Sequence, residues 1–176
     1  MTPPEVFDPV HEALQLDFDA SAGSPEESRL PAFIDPVTDA LDCSWKHFGQ
    51  RAWLNPPYGR DLSKWFDKVI EQAPDLSLVC MLTYANTETR YWLTALESGH
   101  LAAVLFLTPR VKFISPTDPR STIAGAPKGS ALLFFTPDGP GGPVPHRYWD
   151  YREDDFFDVL SGLPLFSFNT LLPPTQ

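Results

Sequence analysis

Cysteine is almost missing from this chain of 176 residues: Cys43 and Cys80 are the only two, and they lie in no metal-ligand spacing. Cys80 sits inside an apolar run, where a reduced, buried thiol is expected, so a reducing cytoplasm fits and structural zinc does not. The four histidines, His11, His47, His100 and His146, share no motif, and no metal ion is expected. Basic residues are scarce: 13 Lys and Arg against 23 Asp and Glu leave a formal net charge of −10. That balance argues against a broad electrostatic grip on nucleic acid, which rests on Lys and Arg. No apolar run approaches the ~20 residues that span a bilayer. The opening Met1-Thr2-Pro3-Pro4-Glu5 has neither the basic nor the apolar part of a signal peptide, so a soluble, unprocessed protein without a membrane partner is expected. Also absent is any phosphate-cradling glycine pattern, since the polar stretch from Ser24 to Leu30 has none.

What is present suits one domain spanning 1–176. A hydrophobic content of 43% allows a sizeable core, expected over about 2–136, with a Pro/Gly loop, a short acidic helix and a tail over 137–176. Charge is local as well as global. Many acids fall at Glu5 to Asp8, Glu26-Glu27 and Glu153 to Asp158. Arg51, Arg60, Lys64, Arg110, Lys112, Arg120 and Lys128 lie between them and suggest a basic rim on an acidic body.

Thr2-Pro3-Pro4-Glu5 reads as a helix start, with Thr2 as N-cap, Pro3 at the first helical position and Glu5 closing a capping box. The helix runs towards Leu14, and Pro9 stops or bends it. Leu14 to Asp19 alternates apolar and polar residues, as a strand does, and Ala20 to Gly23 forms a small-residue turn. Asp17 and Asp19 are then either ligands for a cofactor's amino or hydroxyl groups or solvated acids opening a loop. Ala32-Phe33-Ile34 is a short strand, and Trp45 belongs in the core.

Arg51 to Leu54 leads into Asn55-Pro56-Pro57-Tyr58-Gly59: a strand, a rigid turn and then a helix. Two prolines fix their own backbone angles and remove two amide donors, leaving outward-facing carbonyls. Such a loop suits a substrate amine with two N–H donors, one for the Asn55 side-chain oxygen and one for a proline-loop carbonyl. Tyr58 offers a flat face to an aromatic ring. Leu62, Trp65, Phe66, Val69, Ile70 and Ala73 follow helical spacing, capped by Asp61 and ended by Pro74. Leu76 to Leu82 is a strand buried on both faces. Thr87 to Ser98 is a helix with Trp92, Leu93 and Leu96 on one side and Gly99 as its C-cap, and Leu101 to Leu107 is another buried strand. Strands alternating with helices from Ala52 to Leu107 signal an α/β chain with a mostly parallel sheet. Arg110 to Ile114 and Ser130 to Thr136 suggest a C-terminal antiparallel hairpin with a long tip, with Phe113 either core or part of the site. Pro137 to Pro145 is an irregular loop, Glu153 to Leu160 a short acidic helix, and the tail from Pro173 is mobile.

The loop resembles the Asn/Asp-Pro-Pro-Tyr/Phe motif of S-adenosylmethionine-dependent methyltransferases that modify exocyclic or amide nitrogens. From Thr2 to Phe135 the order of parts is similar to the phage-encoded DNA N-6-adenine methyltransferases, a small Dam-like family. Thr2-Pro3 with Val6-Phe7, Leu16 to Ala22, Asp39-Ala40-Leu41 with Trp45, Asn55 to Gly59, Thr87 to Arg90 and Arg110 to Phe113 carry the likeness. Ala40 stands where that family has glycine, and Tyr84 where it often has proline. The resemblance implies a compact Rossmann-like methyltransferase fold with S-adenosylmethionine as cofactor and DNA as partner, acting in the cytoplasm. It implies catalysis by Asn55, Pro56, Pro57 and Tyr58 and cofactor contacts from Thr2, Pro3, Asp17, Asp19, Ser21 and Asp39. Substrate contacts would come from Tyr58, Arg60, Lys112 and Phe113, and target choice from the loops Ser115 to Gly129 and Pro137 to Pro145. Two other readings stand beside it: a protein glutamine-N methyltransferase, and a non-catalytic binding module that keeps the fold.

Overall fold

The computed structural model describes residues 1–115 and 128–163. Among the described residues the α-helices are α1 (Pro4–Leu14), α2 (Leu62–Gln72), α3 (Arg90–Glu97) and α4 (Phe156–Ser161). The strands are β1 (Phe18–Asp19), β2 (Ala32–Phe33), β3 (Arg51–Leu54), β4 (Leu78–Tyr84), β5 (Leu101–Thr108), β6 (Ser130–Phe135) and β7 (His146–Asp150). They join in one sheet, ordered β2-β1-β3-β4-β6-β5-β7. Among these described strands β6 alone runs against the rest, pairing antiparallel with both β4 and β5.

The central strands β4, β5 and β6 are apolar for most of their length because both of their faces are covered, with Thr83 and Ser130 buried at the crevice end. Leu78, Cys80 and Leu82 of β4 pack with Val6, Phe7, Val10 and Leu14 of α1 and with Phe156 and Leu160 of α4. Val79 and Met81 point the other way, into a second core with Trp65, Phe66 and Val69 of α2 and Trp92 and Ala95 of α3. This is a Rossmann-like layering, helices on both sides of a mostly parallel sheet. Phe66 and Val69 are fully buried, as is Trp45, whose indole N–H donates to the Ala40 carbonyl. Each such side chain contributes about 1.5–3 kcal/mol.

Several sequence expectations shift. Thr2 does not cap α1: Pro3 holds the cap position, its carbonyl accepting the amides of Val6 and Phe7, and no side chain closes the turn. Pro9 does not stop the helix either. Its missing N–H deprives the carbonyl of Glu5, an exposed residue, and the apolar face of α1 outweighs the loss. The strand expected over Leu14 to Asp19 shrinks to β1, because α1 runs on through Leu14 and Gln15 turns the chain at φ 51°. Asp61 stands at the N-cap of α2, but its carboxylate pairs with Lys64 at 2.8 Å instead of capping.

On α3, Trp92 is buried while Leu93 and Leu96 are each 45% exposed, so the inward side is Trp92 with Ala95. Gly99, at φ +76°, takes the left-handed position that follows this helix. The antiparallel hairpin exists, but its first arm is β5. Arg110 to Ile114 forms no strand, and Ile114 is tied to Met1 in both directions, its amide donating to the Met1 carbonyl at 2.9 Å and its carbonyl accepting from the Met1 amino group at 2.6 Å. β7, parallel to β5 at the sheet edge, has no forerunner in the sequence reading. The acidic helix is shorter than expected, with the Asp155 side chain capping it through the Asp158 amide. The tail from Pro173, Arg120 and most of the Ser115 to Gly129 loop lie outside the described residues. Among the described residues no helix is long and apolar enough to cross a membrane.

Candidate active site

The carboxyl ends of β1 and β3 open onto two adjoining cavities. In a parallel sheet these are the strand ends from which loops diverge and leave a crevice. The larger, about 450 Å³, is lined by Ser21, Ile34, Asp35, Asp39, Asn55, Pro57 and Trp65, among others. The second adds Thr2, Phe7, Asp19, Arg29 and Trp53 and shares Ser21, Glu27 and Asn55 with the first. Asn55 therefore stands at the junction, delivered there because β3 ends at Leu54 and two prolines forbid the strand to continue.

Asn55 is held on three sides. Its backbone N–H donates to Ser21 Oγ at 3.2 Å, its Nδ2 donates to Thr2 Oγ1 at 3.1 Å, and its Oδ1 accepts from the Tyr58 hydroxyl at 2.9 Å. The same hydroxyl lies 3.3 Å from the Leu82 carbonyl on β4. Burial raises the Tyr58 phenol well above its ordinary range, so it remains a neutral donor. Its ring stacks on Tyr84 with centroids 4.1 Å apart and meets Phe113 at 5.7 Å, tilted by 60°. Among the described residues no hydrogen bond reaches the Pro56 carbonyl, which keeps its acceptor capacity.

Asp19 is 9% exposed, and the Ser21 amide, at 2.9 Å, is the one described hydrogen bond to its carboxylate. Burial pushes its pKa up to about 6, against the lowering effect of that bond. Among the described residues no cation pairs with Asp19, although Arg29 lines the same cavity, and such a buried acid suits a ligand that brings an ammonium or hydroxyl group. Asp39 lines the larger cavity in a left-handed conformation, φ 53°, with Oδ1 accepting from the Leu41 amide. Asp35, which the sequence reading passed over, lines the same cavity just past β2. The Thr38 amide and hydroxyl hold its carboxylate below the usual range. Its signal was available: an acid at the end of a short strand.

The remaining expected residues divide. Thr2 lines the smaller cavity, whereas Pro3, buried beside it, serves as the cap of α1. Asp17 is not brought to the crevice. It precedes β1, and its Oδ2 accepts the amides of Gln50 at 2.7 Å and Arg51 at 2.8 Å, at the amino ends of the strands. Phe113 is 8% exposed and joins the Tyr58 cluster, whereas Lys112 and Arg60 are exposed and line neither cavity. The basic rim is partial. Arg51 donates to the Leu14 carbonyl at the amino end of the sheet, and Lys64 and Lys128 face Asp61 and Glu88.

Chemically, the junction offers an amide oxygen with one lone pair still available, a neighbouring carbonyl, an aromatic cluster and an acid-lined cavity of cofactor size. Among the described residues no group of three or more His, Cys, Asp or Glu gathers as a metal site. A search of curated proteins finds no match. A family model described as DNA N-6-adenine-methyltransferase (Dam) matches residues 1–146, a stretch that contains all of the residues lining the two cavities, and the chain belongs to that family.

Proposed function

We propose that this protein transfers a methyl group from S-adenosylmethionine to the exocyclic N-6 amine of adenine in DNA. The observation that carries the reading is the placement of Asn55: its Oδ1 stands where the acid-lined crevice meets the Tyr58–Tyr84–Phe113 cluster. Family membership supports DNA as the partner. The cavity fits the cofactor by its chemistry, with Asp35 and Asp39 as hydroxyl acceptors, Ile34, Pro57 and Trp65 as an apolar wall, and Asp19 as the partner for an ammonium group. S-adenosylmethionine, when bound, supplies a methyl made electrophilic by its sulfonium.

The chain's own contribution is alignment and charge placement. Asn55 Oδ1 and the Pro56 carbonyl accept the two amine hydrogens, which localises on nitrogen a lone pair otherwise delocalised into the purine. No covalent nucleophile on the protein is needed. A base within a duplex cannot reach this junction, so the target is flipped out and stacks on Tyr58, whose ring is already braced by Tyr84.

The test is transfer of labelled methyl from S-adenosylmethionine to unmethylated DNA by wild type and Asn55→Ala, followed by nucleoside analysis. The expected result is N-6-methyladenine from the wild type and a loss of about 10²–10³-fold or more in the variant, the usual cost of removing one such contact. Equal activity in the variant, or no label on DNA from the wild type, overturns the reading.

A further inference from the structure

Asn55 presents a problem of orientation. The torsion that turns a side-chain amide is broad. An amide left free would swing through planes in which its oxygen misses the substrate amine. We infer that Thr2 and Tyr58 are positioning residues whose hydroxyls clamp the Asn55 amide from its two ends, fixing the plane and place from which Oδ1 meets the methyl-accepting amine. The inference rests on the reading of Asn55 as the acceptor of that amine.

The two tethers come from separate parts of the fold. Thr2 is 5% exposed and sits just ahead of α1, where the Met1 carbonyl is tied to the Ile114 amide. Its Oγ1 takes one Nδ2 hydrogen. Tyr58 holds the other end and is itself within reach of Leu82 O in the central strand β4. Swinging the amide out of this plane breaks both bonds at once, in a part-buried place where water replaces them poorly. Oδ1 has two lone pairs and Tyr58 uses one, so the clamp leaves the other for substrate. Ser21 adds a third hold, on the backbone N–H, which fixes the point from which the side chain departs.

The clamp gives the Thr2 hydroxyl a task that does not involve the cofactor, and this separates it from the methyl-donor contact implied by the family resemblance. If Thr2 acts through Asn55, its loss appears in turnover. If it acts on the cofactor, its loss appears in cofactor affinity.

The experiment uses the full chain as wild type, Thr2→Val, Thr2→Ser and Tyr58→Phe, with the Asn55 side-chain amide assigned by its disappearance in Asn55→Ala. Two readouts are taken: the ¹⁵N–¹H signals and hydrogen exchange of that amide in the unliganded protein, and kcat, KM for DNA and Kd for S-adenosylmethionine. In Thr2→Val and Tyr58→Phe the amide signals should shift and exchange faster. Their kcat should fall about tenfold, the effect of one net hydrogen bond, with KM and Kd within about twofold. Thr2→Ser should restore both readouts. Wild-type kcat in Thr2→Val, or a weakened Kd at unchanged kcat, overturns the clamp. Should the wild type methylate no DNA, the functional reading fails but the amide signals still decide: unaltered signals in Thr2→Val and Tyr58→Phe overturn the clamp alone.

Discussion

Replacing Asp19 by asparagine should make the protein more stable at neutral pH and leave it almost unchanged in acid. Asp19 is an acid at the carboxyl end of β1 whose pKa is pushed up from 3.8 to about 6, chiefly by burial. A carboxyl with a raised folded-state pKa binds its proton more tightly in the folded protein than in the unfolded chain. Its contribution is therefore neutral below about pH 4 and becomes unfavourable as pH rises towards 6, where the penalty levels off. At about 1.4 kcal/mol per pH unit, the rise corresponds to a penalty of ~3 kcal/mol at neutral pH.

Asp19→Asn removes the charge, keeps the shape and leaves an oxygen to accept the Ser21 amide. Urea unfolding of both proteins at constant ionic strength, from about pH 4.5 to about pH 7.5, isolates the effect, because the many other acids titrate alike in both. The stability difference should grow from ~1 kcal/mol to ~3 kcal/mol, the latter, for a chain of this length, a melting shift of about 6–12 °C. A difference that stays level across that range would refute the claim that Asp19 is held charged against burial.

Three further outcomes follow from packing. Tyr84→Ala removes the ring stacked on Tyr58 and should cost about 1 kcal/mol beyond the lost burial, read by urea unfolding, while the Asn55 amide signals remain. Trp45→Ala empties a fully buried site and frees the Ala40 carbonyl, so a loss of about 3–5 kcal/mol is expected by the same measurement. Gly139→Ala would drive a new Cβ into the Gly99 carbonyl, which accepts the Gly139 amide. A lowered melting temperature is expected there, with methyl transfer at the distant crevice unchanged in a protein still folded.

The helical spacing from Leu62 to Val69 and the apolar runs of β4 and β5 announce their structures because a buried stripe or a twice-buried strand demands apolar residues at fixed intervals. Where tertiary context decides, local pattern misleads. Leu14 and Leu16 alternate like a strand, but both feed the core beneath α1. Arg110 to Phe113 has strand composition, but both edges of β6, its expected hairpin partner, are taken by β4 and β5. β7 stayed hidden because an edge strand with one buried residue, Trp149, has no apolar alternation to show. At the site, the Asn55 loop was legible from its prolines, and Asp19 and Asp39 from their positions in the family pattern. The bonds of Thr2 to Asn55, and of Asp17 to the start of β3, join residues 53 and 34 apart along the chain, and no local rule predicts such pairs.

The insertion of β6 between β4 and β5 has a consequence for the connection that leads into it. The connection from β5 to β6 leaves and re-enters the sheet at the crevice end. It is fastened at both feet, by the Ile114 amide on the Met1 carbonyl and the Ala85 amide on the Gly129 carbonyl, each at 2.9 Å. Closing a longer loop between fixed feet costs only the logarithm of its length. A change in the length of the connection therefore costs little in closure, and the register of the three strands below is carried by their own pairing.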